Sequence, residues 1–156
     1  MVLTAPVYKN LKAHWPDCRI TVLVKPQFAP ALAHNPNVDE VMAYRSHSQA
    51  LRLVLERGFT HLLDLHANWR TFWLRHLARV PNTAVYRKDA LARRLFVHLG
   101  LPSPALARHT LDRYLEALAA WGVPIRTRDL TLGDYASQDA PPPAAGVRVL
   151  LAQTSI

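Results

Sequence analysis

Ile20-Thr21-Val22-Leu23-Val24 is β-branched at four of five positions and apolar at all but Thr21. Such a run marks a strand buried on both faces, as a parallel sheet with helices on either side requires. The flanking segments agree. Residues 3–13 read as a helix with Pro6 near its start, where a missing N–H costs little, and Val7 and Leu11 at helical spacing. The turn Trp15-Pro16-Asp17-Cys18 separates this helix from the strand.

Downstream the pattern repeats. Residues 29–34 read as a short helix and Asn35-Pro36-Asn37 as a turn. Residues 38–44 read as a second strand, more exposed and nearer an edge. Residues 48–57 form an amphipathic helix, with Ser46 or Ser48 as candidate cap and Gly58 at its left-handed end. Residues 60–65 (THLLDL) are a third strand, 68–79 a helix capped by Asn68, and 83–86 a short fourth strand. Helices over 90–99 and 110–121 follow, closed by Gly100 and Gly122. Strands alternating with helices predict an α/β domain with a parallel sheet. Trp69, Phe72 and Trp73 fall at helical spacing and are expected to pack in the core.

The domain reading is 1–135 for one Rossmann-like unit and 136–146 (ASQDAPPPAAG) for a linker. Residues 147–156, opening on Val147-Arg148-Val149-Leu150-Leu151-Ala152, are the start of a second domain. The 156 residues, half of them apolar, suit a globular chain. One cysteine, Cys18, permits no internal disulfide. No signal peptide opens the chain and no apolar run spans a bilayer, so the reading is cytoplasmic. The histidines show no zinc spacing, and there is no Gly-rich phosphate loop or nucleophile elbow.

The net charge is +8. Nearly all of it falls between Arg70 and Arg113, where nine Lys/Arg face only Asp89 and Asp112. A solvated arginine-rich surface and an anion-binding face both fit that stretch. Ligands of parallel sheets bind outside the carboxyl ends of the strands. There the sequence places Lys25 after the first strand, Arg45 after the second, His66 and Arg70 after the third, and Arg87 and Lys88 after the fourth. A repeated positive sign on one edge fits an anion-binding mouth; the plain alternative is that strand ends are polar in any case. His66 could transfer a proton, since the unperturbed histidine pKa lies near neutrality, but such a histidine more often only hydrogen-bonds a loop or ligand. Asp64 reads as a residue that orients a loop or pairs with an arginine.

Several segments resemble the heptosyltransferases, glycosyltransferase family 9. Asn35-Pro36-Asn37-Val38-Asp39-Glu40-Val41 is similar to that family's Asn-Pro-x-Val-Asp-Glu-Val turn and strand. Asp64-Leu65-His66-Ala67-Asn68-Trp69-Arg70-Thr71 is similar to its Asp-Leu-His-Gly-Asn-x-Arg-Ser/Thr segment. Tyr86-Arg87-Lys88-Asp89 with Arg93-Arg94, and His109-Thr110-Leu111-Asp112-Arg113-Tyr114, add to it. The resemblance implies the N-terminal, acceptor-side domain of a two-domain GT-B glycosyltransferase. Such an enzyme moves heptose from ADP-heptose onto the phosphorylated inner core of lipopolysaccharide, at the inner face of the cytoplasmic membrane. It implies Arg70 and Arg113 as first acceptor-binding residues, then Lys88, Arg87 and His66, with no cofactor and no metal.

The departures are at the two ends. Met1-Val2-Leu3-Thr4-Ala5-Pro6 matches only the tail of the family's opening strand, Ser-x-Gly-Asp loop and Val-Val-Leu-Thr-x-Pro. The family's first strand and its general-base aspartate would therefore precede Met1, and no catalytic residue is assigned here. Gln153-Thr154-Ser155-Ile156 departs from the expected Pro-Gly turn. The missing strand is expected to be central, so that its neighbours face each other across a gap or expose unpaired edges, in a marginally folded, inactive chain. Two readings from other classes stand beside this one. One is a non-catalytic module that grips an anionic glycolipid. The other is a basic nucleic-acid binder, which lacks a helix-turn-helix or aromatic-platform signature.

Overall fold

The computed structural model of the chain describes residues 2–86, 109–130 and 146–152. Arg87, Lys88, the helix read at 90–99, most of the linker and residues 153–156 lie outside them.

Five strands form one parallel sheet: β1 (Arg19–Val24), β2 (Glu40–Ala43), β3 (His61–Asp64), β4 (Asn82–Val85) and β5 (Arg148–Ala152). Their order is β2-β1-β5-β3-β4, so β2 lies at an edge, as its exposure predicts. Among the described residues the α-helices are α1 (Ala5–His14), α2 (His47–Arg57), α3 (Trp69–Ala78) and α4 (Thr110–Glu116).

The expected gap does not exist between β1 and β3, the strands on either side of the sheet's centre. β5 fills it, with Ile20 opposite Val149 on one side and Leu62 opposite Leu150 on the other. The residues read as the opening of a second domain thus stand in the centre of this sheet. Their alternation explains why they fit. Val149 and Leu151 join the core under α1 and α4, with Val7, Tyr8, Leu11, Leu115 and Leu118. Leu150 and Ala152 join the opposite layer, with Ala50, Val54, Leu74 and Ala78 of α2 and α3. A strand apolar on both faces and bonded along both edges suits only an inner position.

Local chemistry sets most helix ends. Ser46 caps α2 through its hydroxyl, which accepts from Gln49 N at 3.2 Å, and Gly58 closes it at φ 59°. At the head of α3, Asn68 Oδ1 accepts from Thr71 N at 2.8 Å and Thr71 Oγ1 accepts from Asn68 N at 3.0 Å, a reciprocal capping box. The short helix read at 29–34 is instead a 3-10 helix over Pro26–Ala31. Pro26 can open it, but Pro30 has no N–H to continue an α-helix. The helix read at 110–121 divides into α4 and a 3-10 turn, Ala117–Trp121, ending at Gly122 with φ 67°.

The Asn-Pro-Asn-Val-Asp-Glu segment is scaffold. Asp39 Oδ2 accepts from Ile20 N at 2.6 Å and pairs with Lys12 at 2.8 Å; Glu40 pairs with Arg19 at 3.2 Å and with Arg57. Asn10 is fully buried in α1 and ties down the chain beyond α4. Its Nδ2 donates to Pro6 O at 2.7 Å and Thr127 O at 2.8 Å, and its Oδ1 accepts from Arg126 N at 2.6 Å and Thr127 N at 3.1 Å. At the amino edge of the sheet His61 packs between Trp15 and Trp121, with ring centroids 5.1 and 5.0 Å away. Burial pushes its pKa below the ordinary histidine value. Burial likewise raises the Cys18 thiol to about 11, which keeps it protonated and unreactive.

The aromatic stripe of α3 is not core. Trp69, Trp73, Leu77 and Phe72 are 67, 55, 52 and 43% exposed. Thr71, Leu74 and Ala78 take the inward face, and the capping box fixes that rotation by burying Thr71.

Candidate functional site

The carboxyl ends of the strands open beside a pocket of about 280 Å³ between α2 and α3. Its rim carries Lys25 from the end of β1, His47 from the first turn of α2, and Arg70 from the first turn of α3. Tyr44, Trp69 and Trp73 supply much of its wall. These side chains form a ladder. Tyr44 meets His47 edge-on at 6.3 Å, His47 stacks on Trp69 at 6.4 Å and 18°, and the Arg70 guanidinium lies 5.3 Å from the Trp69 ring centroid. Arg70 is therefore held over an aromatic face, exposed and close to the pocket.

Asp64 sets the loop that leads into α3. It is wholly buried at the end of β3, and its Oδ1 accepts from His66 N at 3.0 Å and Ala67 N at 2.8 Å. Its Oδ2 lies 3.4 Å from Arg75 Nε. The loop turns sharply enough to put Ala67 at φ 47°, a region that favours glycine. Asp64 thus orients a loop and faces an arginine, the two roles read for it from sequence.

The residues singled out in the sequence are only partly gathered. Lys25 and Arg70 share the pocket. Arg45 is exposed just before α2, its N–H donating to Gln49 Oε1 at 2.8 Å. His66 is half-buried in the loop Asp64 holds, and it does not line the pocket. Arg113 sits on α4, in the opposite helical layer, and is 6% exposed. Its neighbour Tyr114 packs on Tyr86, just beyond β4, with centroids 5.0 Å apart. Arg87 and Lys88 lie outside the described residues. The reading of strand ends missed Tyr44, His47, Trp69 and Trp73. Tyr44 and His47 flank Arg45 and could have been included on position alone.

Among the described residues no group of three or more His, Cys, Asp or Glu is placed to hold a metal ion. What the arrangement can do chemically is bind: two cations and an imidazole converge on an apolar, aromatic cleft. A charge-assisted bond from Arg70 or Lys25 would orient an anionic group there.

No family model matches the chain. It is similar to lipopolysaccharide heptosyltransferase 3 of Escherichia coli, 27% identical over 148 residues that cover 85% of this chain and 42% of that protein. The protein of the same name from Escherichia coli strain K12 is 22% identical over 147 residues, with the same coverage. The chain thus spans about two-fifths of the length of the relatives it matches. In structure it resembles a glycosyl transferase family 9 protein from Veillonella parvula DSM 2008. The TM-score is 0.58 at 22% identity, covering 79% of this chain and 38% of that one. The class is therefore a parallel α/β sheet with flanking helices, like that of the GT-B glycosyltransferases. Within it, the likeness in sequence is to heptosyltransferases.

Proposed function

We propose that this sheet is the acceptor-binding side of a glycosyltransferase whose acceptor is an anionic saccharide. The observation that carries the reading is the convergence of Lys25, His47 and Arg70 on one pocket at the carboxyl edge of a parallel sheet. We read the transferred sugar as a heptose from ADP-heptose and the acceptor as the phosphorylated inner core of lipopolysaccharide, a reading supported by the likeness to lipopolysaccharide heptosyltransferase 3. On this reading Arg70 grips a phosphate or sugar carboxylate, with Lys25 beside it. Arg113, Arg87, Lys88 and His66 are further acceptor contacts. On this reading residues 1–156 hold the acceptor; they span about two-fifths of the length of the relatives they match.

Calorimetric titration with a phosphorylated inner-core oligosaccharide, and with its dephosphorylated form, tests this. The phosphorylated sugar is expected to bind, and Arg70→Ala to weaken it about tenfold or more, as for loss of a charged hydrogen bond. Lys25→Ala should weaken it in the same direction. Equal binding of both sugars, or unchanged binding by both variants, would remove the assignment.

A further inference from the structure

At the amino edge of the sheet two arginines lead adjacent strands in register. Arg19 opens β1, Arg148 opens β5, and the two are paired across the ladder. The residues that follow them, Ile20 and Val149, turn into the layer of α1 and α4. Side chains alternate along a strand, so both arginines turn toward the layer of α2 and α3, side by side. Adjacent strands lie about 4.8 Å apart, and like charges directly opposite one another weaken a sheet. Glu40 of β2 pairs with Arg19 at 3.2 Å, but it also pairs with Arg57 in the last turn of α2. Other carboxylates nearby are engaged elsewhere, Asp39 with Lys12 and Glu56 with Arg52.

Arg148 is the cation left over. Its guanidinium carbon lies 5.8 Å from the Phe59 ring centroid, and among the described residues it meets no carboxylate. Its backbone is fixed at both polar groups: N donates to the Thr60 hydroxyl, and O accepts from Thr60 N. Arg19 commits Nη2 to Glu40 and leaves Nε without a hydrogen-bond partner. Arg57 has a reason to stand where it does, since a cation suits the carboxyl end of a helix. Arg19 and Arg148 open strands and have no such reason. All three side chains are half-buried, so the charges are held in place.

We propose that Arg19 and Arg148 form a second anion site, at the edge of the sheet opposite the acceptor pocket, and that it takes a phosphate group. Two guanidinium forks on neighbouring strands select that chemistry. A carboxylate fills one fork, whereas a tetrahedral phosphate has oxygens for both. Bound there, it separates the paired charges, gives Arg148 its counter-ion and ties β5 to β1. Arg57 adds to the positive field. None of these residues lines the acceptor pocket, so the site stands apart from the transfer reading.

Thermal unfolding of the chain carrying Lys25→Ala and Arg70→Ala, which silence the acceptor pocket, tests this in inorganic phosphate against chloride at equal ionic strength. With phosphate about a hundredfold above its Kd, the midpoint is expected to rise by about 5 °C or more. Arg148→Gln in the same background should lose that rise and keep only the general stabilisation that phosphate gives any protein. Arg148→Lys keeps the charge without the fork, and calorimetry should find phosphate bound about tenfold more weakly. Glycerol phosphate separates the sources of the group. An equal rise assigns a phosphomonoester, and a rise with inorganic phosphate alone assigns the free ion; both support the site. No difference between phosphate and chloride, or a rise that both variants leave undiminished, would overturn it.

Discussion

The Thr60 hydroxyl brackets the first residue of β5: it accepts from Arg148 N at 2.9 Å and lies 3.1 Å from Arg148 O. The Thr60 N–H donates to that same carbonyl at 3.1 Å. The segment entering β3 thereby grips the inserted central strand at its beginning. Thr60→Val keeps the shape and removes the hydroxyl. It should lower unfolding free energy by about 1–2 kcal/mol, and Thr60→Ser should restore most of it. Urea unfolding followed by circular dichroism measures both.

Ala67 stands where glycine is favoured, at φ 47°. A left-handed residue with a Cβ costs about 1–2 kcal/mol, and glycine costs part of that back in the unfolded chain. Ala67→Gly should therefore stabilise by about 0.5–1 kcal/mol, read from the urea midpoint at unchanged slope. A loss of stability would mean that the Asp64 bonds to this loop need the alanine backbone.

Asn10 makes four hydrogen bonds to backbone from a buried position. Asn10→Ala leaves Arg126 and Thr127 without it, and about 1–3 kcal/mol is expected for a single buried group stripped of its partner. The loss should reach about 2 kcal/mol or more. Hydrogen exchange should show residues 126–127 losing protection first.

His61 gives a pH signature. Its folded pKa lies below the unfolded value of about 6.5, because burial beside Trp15 and Trp121 disfavours the imidazolium. As pH falls through about 6.5, the unfolded chain takes up a proton that the folded ring resists, so stability declines toward the folded pKa. Above that window the group contributes no slope. His61→Phe keeps a ring between the tryptophans, and its stability should fall less than that of the wild type over the same range. Parallel curves for the two proteins would show that His61 titrates alike folded and unfolded.

The parts of this fold legible in the sequence are those set by neighbouring residues. Ser46, Gly58, Asn68 and Gly122 mark helix ends through bonds or backbone angles a few residues away. The buried strands announce themselves by β-branched runs. What depends on distant partners is not legible. Trp69, Phe72 and Trp73 have the spacing of a core stripe, yet Thr71, Leu74 and Ala78 face inward because a capping box and β5 decide the rotation and the partner. Residues 148–152 read correctly as a buried strand, but nothing local says which sheet receives them. In the candidate site, Lys25 and Arg70 are found from strand ends. Tyr44 and His47 come with the path of the chain after β2, and Arg113 is carried into the other layer by α4.

The central strand is also the last of the five in chain order. During synthesis the segments from α1 to β4 leave the ribosome while β1 and β3 still have open inner edges, and they must wait until residue 152 has emerged. The chain thus passes its vulnerable interval with two apolar strand edges unpaired, which invites edge-to-edge association. Its yield in cells should be governed by chaperone supply and translation speed as much as by the stability of the finished sheet.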